Sequence, residues 1–524
     1  MRKCILIFLF IVIAVSLPLT FKHYREQNSL TLQQKLEDFN YTFDILEQNY
    51  PYFWVIQRKF GIDYLGRREE FEKRILLTKN DAEFYEELSR MIRLLQNPHT
   101  FLISPEAYDF MKEYYSNLKG IGSGLWKQIT KDEKISESYR EWKKKLNNRS
   151  HILPFVFKYV EGKYVKVDGA SSDYIPQVPD GSYLTKIESV DVDEYVKSLA
   201  EVSWLEYDER RRKIRLKDPV FPALYKKEYI LEFVTPEGNP LEVKVKPVAV
   251  DPGKLLRPSS VRMFETSILK EGTVAYIKFN SFNTTDPEAD RDEILKFFQS
   301  IRDYPFLIID VRGNTGGNSD YWKYNIIPPL TDRYLSATFY KVFRGGEYMR
   351  KFLSGLPGLK NISELPENLV LPPEISRHFT YFIELGCHIS EVDSIGFKGE
   401  IYILVDEEVF STAETFVAFA KATKWATIVG TRTGGDGMGS EKPAIILPNS
   451  RLVIMFQNGM ALNPDGSANA EFGTEPDIFA ELTYEDYLKY LKWQKTNPES
   501  KGVVNPYDTV INKVLEIINQ KLAG

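Results

Sequence analysis

The run Ile401-Tyr402-Ile403-Leu404-Val405 constrains this chain more than any other stretch. It is apolar, rich in β-branched residues, too short for a helix and closed by Asp406-Glu407-Glu408. It therefore predicts a strand buried on both faces, which in turn requires helices on both sides of its sheet. One such helix follows at once. Ser411 opens it, and Phe416, Val417, Phe419 and Ala420 recur at helical spacing along it. Ser411 thus sits at a strand-to-helix turn, at the positive end of a helix dipole and beside unpaired backbone N–H groups. A serine nucleophile in acyl transfer needs that setting, because the tetrahedral oxyanion must meet donors already in place. Ser411-Thr-Ala-Glu414 also spells a capping box, worth about 1 kcal/mol to an ordinary helix. The stretch alone does not separate the two readings.

From residue 272 the strands become more apolar and alternate with helices. Val274-Ala-Tyr-Ile-Lys-Phe, a helix near 288–302 and Phe306-Leu-Ile-Ile come first, so a largely parallel α/β layer is expected. The strand at 306 runs into Asp310-Val-Arg-Gly-Asn-Thr-Gly-Gly-Asn318, whose glycines let the backbone turn its N–H groups toward a ligand. The GxxxxGK[ST] pattern of a phosphate loop is absent. A second glycine-rich loop, Thr433-Gly-Gly-Asp-Gly-Met-Gly439, follows the strand at Thr427, and residues 335–398 read as an insertion with Pro and Gly breaks.

The N-terminal half differs. Arg2-Lys3 precedes an apolar run from Ile5 to Phe21, with Lys22-His23-Tyr24-Arg25 after it. This is the pattern of a signal or an uncleaved membrane anchor over 1–28, with the body of the chain extracytoplasmic. Residues 29–120 read as helices: Leu36, Phe39, Phe43, Leu46 and Tyr50 recur every three or four positions up to Pro51, and Asn80-Asp81 start a second series through Phe84, Leu88 and Met91. That series ends at Asn97-Pro98-His99-Thr100. Residues 121–250 pass from a charged lead-in, with Lys143-Lys144-Lys145 as a solvated helix face, to a β-rich unit. Asp251-Pro252-Gly253 reads as a linker into an α/β unit, 251–524.

A chain of 524 residues exceeds a single core, and 43% hydrophobic with 14% aromatic residues promises large ones. The net charge of −5, without a basic stripe, argues against a nucleic-acid partner. No Cys/His spacing suggests zinc, and Cys4, ahead of the apolar run, is badly placed for a disulfide with Cys387.

These segments together resemble the S41 family of serine peptidases, which includes the C-terminal processing peptidases and the tricorn core. Leu95-x-Asn97-x-His99-Thr100 resembles the family's Leu-x-Asp-x-His-Thr, and Val274-Ala-Tyr-Ile through Phe282 resembles its strand ending in Ser-Phe. Asp310-Val-Arg-Gly-Asn-x-Gly-Gly, Ser411-x-x-Glu414 and Gly473-x-x-Pro-Asp477 follow in the family's order. The resemblance implies a crotonase/ClpP-like α/β core, an N-terminal helical region and a PDZ-like β-rich domain, in which Gly181-Ser-Tyr-Leu-Thr-Lys-Ile stands at the PDZ signature. It implies Ser411 as nucleophile and an oxyanion hole from the N–H of Thr412 with that of Gly316 or Gly317. The substrate would be a peptide or unfolded polypeptide, and no metal or organic cofactor is implied.

The Ser-Lys branch carries its lysine 25 positions after the serine, where this chain has Asp436. The tricorn-like branch uses a histidine base oriented by a glutamate, which makes His99 the base. The glutamate's place, three before Gly473, holds Ala470, so Glu471, one position on, is expected to orient His99. A non-catalytic peptide- or ligand-binding protein on the same fold is the alternative.

Overall fold

The structure, a computed structural model, describes residues 29–524 apart from 118–123, 147–149, 170–177, 225, 251–261, 440–441 and 498–503. The expected anchor over 1–28 and the expected linker at Asp251-Pro252-Gly253 lie outside the described residues. Among the described residues no helix is long and apolar enough to cross a membrane.

The apolar runs become a six-stranded sheet whose spatial order follows the chain: Phe264–Lys270, Val274–Phe279, Phe306–Asp310, Glu400–Val405, Thr427–Gly430 and Ile478–Phe479. The first pair is antiparallel and every later pair parallel. Successive side chains of a strand face opposite ways, and both faces here are covered. Leu307, Ile309, Ile401, Ile403 and Val405 pack with Ile294 and Phe298 of the Arg291–Ser300 helix and Phe416 and Phe419 of the Thr412–Ala422 helix. Ile308, Tyr402, Leu404 and Val429 pack instead with Val510, Val514 and Ile518 of the C-terminal Thr509–Ala523 helix. An unbroken apolar run is what two covered faces require.

The β-rich unit is an antiparallel sheet in the order Pro240–Val245, Tyr229–Val234, Tyr183–Ile187, Lys163–Gly169, Phe155–Val160. Its hairpin Leu205–Asp208/Lys213–Leu216 reaches the α/β unit, where buried Arg215 meets Glu408 at 2.9 Å, just ahead of Ser411.

The N-terminal helices do not keep a core of their own. Leu32–Asn49 starts on a capping box at Thr31, Asp81–Arg93 starts on Asn80, and Phe39, Phe43, Leu46, Phe84, Leu88 and Met91 are buried. These residues share one hydrophobic cluster with Val342, Phe382, Ile445, Val453 and Leu462. Phe101–Leu102 pairs with Val453–Met455, which stitches the helical region to the C-terminal half immediately after His99. Residues 335–398, expected as an insertion, are built into this body. Leu335–Phe343 pairs along nine residues with Tyr381–Ile389 and, on its other edge, with Gly459–Leu462. The partners are too far apart in sequence for a hairpin signal to betray them.

Asp310 and Arg312 of the first glycine-rich segment have a structural task. The buried Asp310 carboxylate accepts from the Arg312 guanidinium at 2.6 Å and from Tyr276 at 2.8 Å, and Arg312 reaches Asp508, the N-cap of the C-terminal helix, at 2.9 Å. Removing one partner of such a pair leaves an uncompensated charge inside. Arg312→Met is expected to cost about 3–5 kcal/mol of stability in urea unfolding; a loss below about 1 kcal/mol would show that the pair carries no such weight.

Candidate active site

Ser411 has φ +57° and ψ −119°, a conformation that non-glycine residues adopt only when their surroundings impose it. Three contacts impose it. The Phe410 amide donates to the Asn314 carbonyl at 3.2 Å, the Ser411 amide to the Gly435 carbonyl at 3.1 Å, and the Thr412 hydroxyl to the Gly317 carbonyl at 2.8 Å. The turn is thus clamped between the two glycine-rich loops. Although Ser411 occupies the N-cap position, its side chain makes no capping bond, so the capping box that the sequence spells is not formed. The hydroxyl is turned elsewhere, to His99.

His99 Nε2 lies 3.1 Å from Ser411 Oγ, and His99 Nδ1 lies 2.7 Å from Asp436 Oδ2. The same Oδ2 accepts from Asn97 Nδ2 at 2.8 Å, and Oδ1 accepts from the Tyr52 hydroxyl at 2.9 Å and Gln457 Nε2 at 3.1 Å. A carboxylate only accepts, so Nδ1 carries the imidazole proton and Nε2 is free to accept from Ser411. Burial pushes the Asp436 carboxyl up, but the His99 imidazole and the hydrogen bonds from His99, Asn97 and Gln457 outweigh it and hold Asp436 well below the usual carboxylate range. His99 is pushed down, chiefly by burial and then by Lys442, with Asp436 pulling the other way. The resting pair is a neutral imidazole beside a carboxylate.

Glu471, expected to orient His99, is elsewhere. Its carboxylate accepts from Arg58 Nε at 2.8 Å and Nη2 at 2.6 Å, and Arg58 also holds Glu374 at 2.7 Å. Asp436 stands in its place at Nδ1. Asp436 is also the residue at the lysine position of the Ser-Lys branch, where sequence reasoning allowed it no part in the site and assigned the orienting carboxylate to Glu471 instead. The Asn97 amide donates to Asp436 while its oxygen accepts the His99 amide at 3.0 Å. Tyr52 and Gln457 carried no sequence signal, since nothing local marks a tyrosine or glutamine as a carboxylate's partner.

The two glycine amides of the expected oxyanion hole are not equivalent. Gly316 N–H is taken by the Asn314 side chain at 2.9 Å. Among the described residues, the amides of Gly317 and Thr412 donate to no other group. Gly316 lies against Ser411: a Cβ there would stand 2.7 Å from Thr412 N and 3.0 Å from Ser411 Cβ, at φ +99°. Gly317, at φ +138°, has no room for a side chain against Phe282, whose carbonyl carbon a Cβ would approach to 2.2 Å. A cavity of about 630 Å³ begins beside Thr433-Gly434 and is lined by charged groups, among them Lys59, Glu206, Arg432 and Glu471.

The structure can be matched to known proteins. Residues 273–480 match the sequence model of peptidase family S41, which assigns that part of the chain to the family. Comparison with curated protein sequences gives no match. Mature CPAF superposes with a TM-score of 0.56 at 16% identity, over 90% of this chain and 99% of that one. CPAF complexed with lactacystin gives 0.55 at 15%, over 90% and 98%. The photosystem II D1 C-terminal processing protease gives 0.40 at 14%, over 87% and 94%. At these identities the likeness to CPAF is one of fold: an α/β core with a helical region and a PDZ-like unit before it.

The balance of charges on His99 is open to measurement. In an NMR titration His99 is expected to titrate below the ordinary histidine value of about 6.5. Asp436→Asn removes the group that raises it and should lower it further, whereas Lys442→Ala should raise it. A His99 pKa above the ordinary value, or no response to either change, would contradict the balance described.

Proposed function

We propose that this S41-family chain is a serine peptidase that hydrolyses peptide bonds of polypeptides, with Ser411 as nucleophile, His99 as base and Asp436 as the carboxylate behind it. One observation carries the reading: a hydrogen-bonded line runs from Asp436 through His99 to a serine held in a strained elbow. Neutral His99 Nε2 takes the proton as Ser411 Oγ attacks the scissile carbonyl carbon, and the developing imidazolium is stabilised by Asp436. The tetrahedral oxyanion is met by the N–H groups of Thr412 and Gly317, whose free donors fit that task. As the intermediate collapses His99 gives the proton to the leaving amine, and water then attacks the acyl-enzyme with His99 again as base. The charged cavity beside Gly434 suits the flank of a polar polypeptide. The histidine base agrees with the tricorn-like pattern, although an aspartate replaces the expected glutamate.

A fluorophosphonate probe, which needs an activated serine and no known substrate, tests the reading. The wild type should be labelled and Ser411→Ala should not, while melting as the wild type does, since the Ser411 side chain caps nothing. On one peptide substrate His99→Gln should lower kcat/KM by about 10²–10⁴ and Asp436→Asn by about 10⁴. Glu471→Gln and Lys442→Ala should stay within about tenfold of wild type. The wild-type rate should rise with pH through the His99 range, because the base must be neutral. An unlabelled wild type would favour a non-catalytic binding protein, and a dead Lys442 variant beside an active His99 variant would restore a Ser-Lys mechanism.

We also propose that residues 22–524 lie outside the cytoplasm, tethered by Ile5–Phe21. The support is the Arg2-Lys3 flank, which favours retention of that end inside. Cell fractionation should place the protein with membranes, its C-terminal part open to external protease; a full-length soluble cytoplasmic protein would refute this.

A further inference from the structure

Glu414 lies one turn into the helix that Ser411 opens, is 0% exposed, and has no task in the reaction above. It does not reach back to the Ser411 amide, as a capping box requires, because that amide is bonded to Gly435. Its Oε1 accepts instead from Asn469 Nδ2 and from the Thr474 hydroxyl, each at 2.6 Å. Asn469, itself buried, uses its Oδ1 to accept the Gly437 amide at 2.8 Å, and Gly437 directly follows Asp436. The Met438 amide donates to Thr415 Oγ1, on the same helix, at 2.7 Å. A Cβ on Gly437 would come 2.7 Å from Glu414 Cγ, so the loop runs directly against this side chain.

We propose that Glu414 is a positioning residue: through Asn469 it fixes the backbone at Gly437 and so keeps the Asp436 carboxylate in register with His99 and Ser411. The inference rests on the Ser411–His99–Asp436 reading. Glu414 does this as a neutral acid. Its Oε2 is buried and meets no hydrogen-bond partner among the described residues. No cation pairs with it there. Lys421 of its own helix pairs with Asp477 at 3.3 Å, Asp436 of the loop is engaged by His99, and Glu471 of the neighbouring segment by Arg58. Burial pushes the carboxyl up to about 7, with the Thr474 and Asn469 hydrogen bonds and the nearby Thr433 hydroxyl opposing only in part. Ionisation would bury a charge with one bare oxygen, so the loop that Glu414 holds should loosen as pH rises through that value.

The experiment compares wild type, Glu414→Gln and Glu414→Ala as full chains, by fluorophosphonate labelling and kcat/KM across pH and by urea unfolding across pH. Glu414→Gln keeps a neutral side chain with the Oε1 acceptor, so it should label within about threefold of wild type near pH 6. The wild type should decline above about pH 7 and Glu414→Gln should not. Glu414→Ala should label at least about tenfold more slowly, through kcat more than KM. The folded pKa of Glu414 is raised, so its stabilising share is complete below the unfolded carboxyl value and is lost as pH rises through about 7; Glu414→Gln should lack that loss. A glutamine variant as slow as the alanine variant, or an alanine variant as fast as wild type, would overturn the proposal. So would unfolding curves with the same pH dependence in wild type and Glu414→Gln. If the alanine variant fails to fold, the glutamine pH profile decides. An unlabelled wild type would instead sink the nucleophile reading, and the unfolding curves would still decide whether Glu414 is neutral.

Discussion

The Asp436 carboxylate is the contact on which the rest of the site depends. A buried anion is tolerated only when its lone pairs are met, and here the donors come from distant parts of the chain. Tyr52 stands just ahead of the Phe53–Phe60 helix, Asn97 and His99 follow the Asp81–Arg93 helix, and Gln457 lies after the Val453–Met455 strand. The helical region is therefore part of the site rather than an appendage to the α/β core. The common hydrophobic cluster and the Phe101–Leu102 pairing with Val453–Met455 give that assembly its rigidity. A polar network this deep can form only once the two halves have packed.

Ser411 is held in a conformation costing on the order of 1–3 kcal/mol, and the clamp that offsets this runs through Asn314. Its side chain donates to the Phe279 carbonyl at 3.1 Å and accepts the Gly316 amide at 2.9 Å, while its carbonyl accepts the Phe410 amide. One buried residue thus ties the end of a core strand, the glycine loop and the turn before Ser411. By occupying Gly316 it leaves Gly317 as the loop's available donor. The glycines are needed for their positive φ and because backbone of Phe282 and Thr412 fills the space a side chain would take.

What was legible in the sequence is what local pattern dictates. The strands at 306–310 and 401–405 were legible because two covered faces leave an unbroken apolar run, and the helix starts at Asn80 and Ser411 because capping-type residues precede periodic apolar ones. Ser411 and His99, identified from separate motifs, are brought together within 3.1 Å. The third residue was not legible, since a carboxylate's role depends on which partner reaches it across the fold. Glu471 faces Arg58, and no local pattern says so. The structure gives Asn97, where the family pattern has aspartate, a task. An aspartate at 97 would set a second carboxylate against Asp436 Oδ2, where the Asn97 amide now donates at 2.8 Å. Residues 335–398 failed for another reason: their strands pair with segments whose partnership only the assembled sheet defines.

The same physics shifts two buried carboxyls close in structure in opposite directions. Asp436 accepts four hydrogen bonds, one of them from the imidazole, and stays ionised despite burial. Glu414 has both its donors on one oxygen and none on the other, and burial prevails. The number and placement of donors, rather than depth, separates them. The lysines follow the same logic with the sign reversed. Burial first and Lys442 second push Lys341 down to about 7, while Asp436 resists, and Lys442 is itself lowered by burial. Their positive field also lowers His99 and opposes the Asp436 field that raises it. In the proposed mechanism a base that must rest neutral and then hold a proton needs both: cations that keep it deprotonated at rest, and a carboxylate in contact with Nδ1 whose attraction strengthens once the proton arrives.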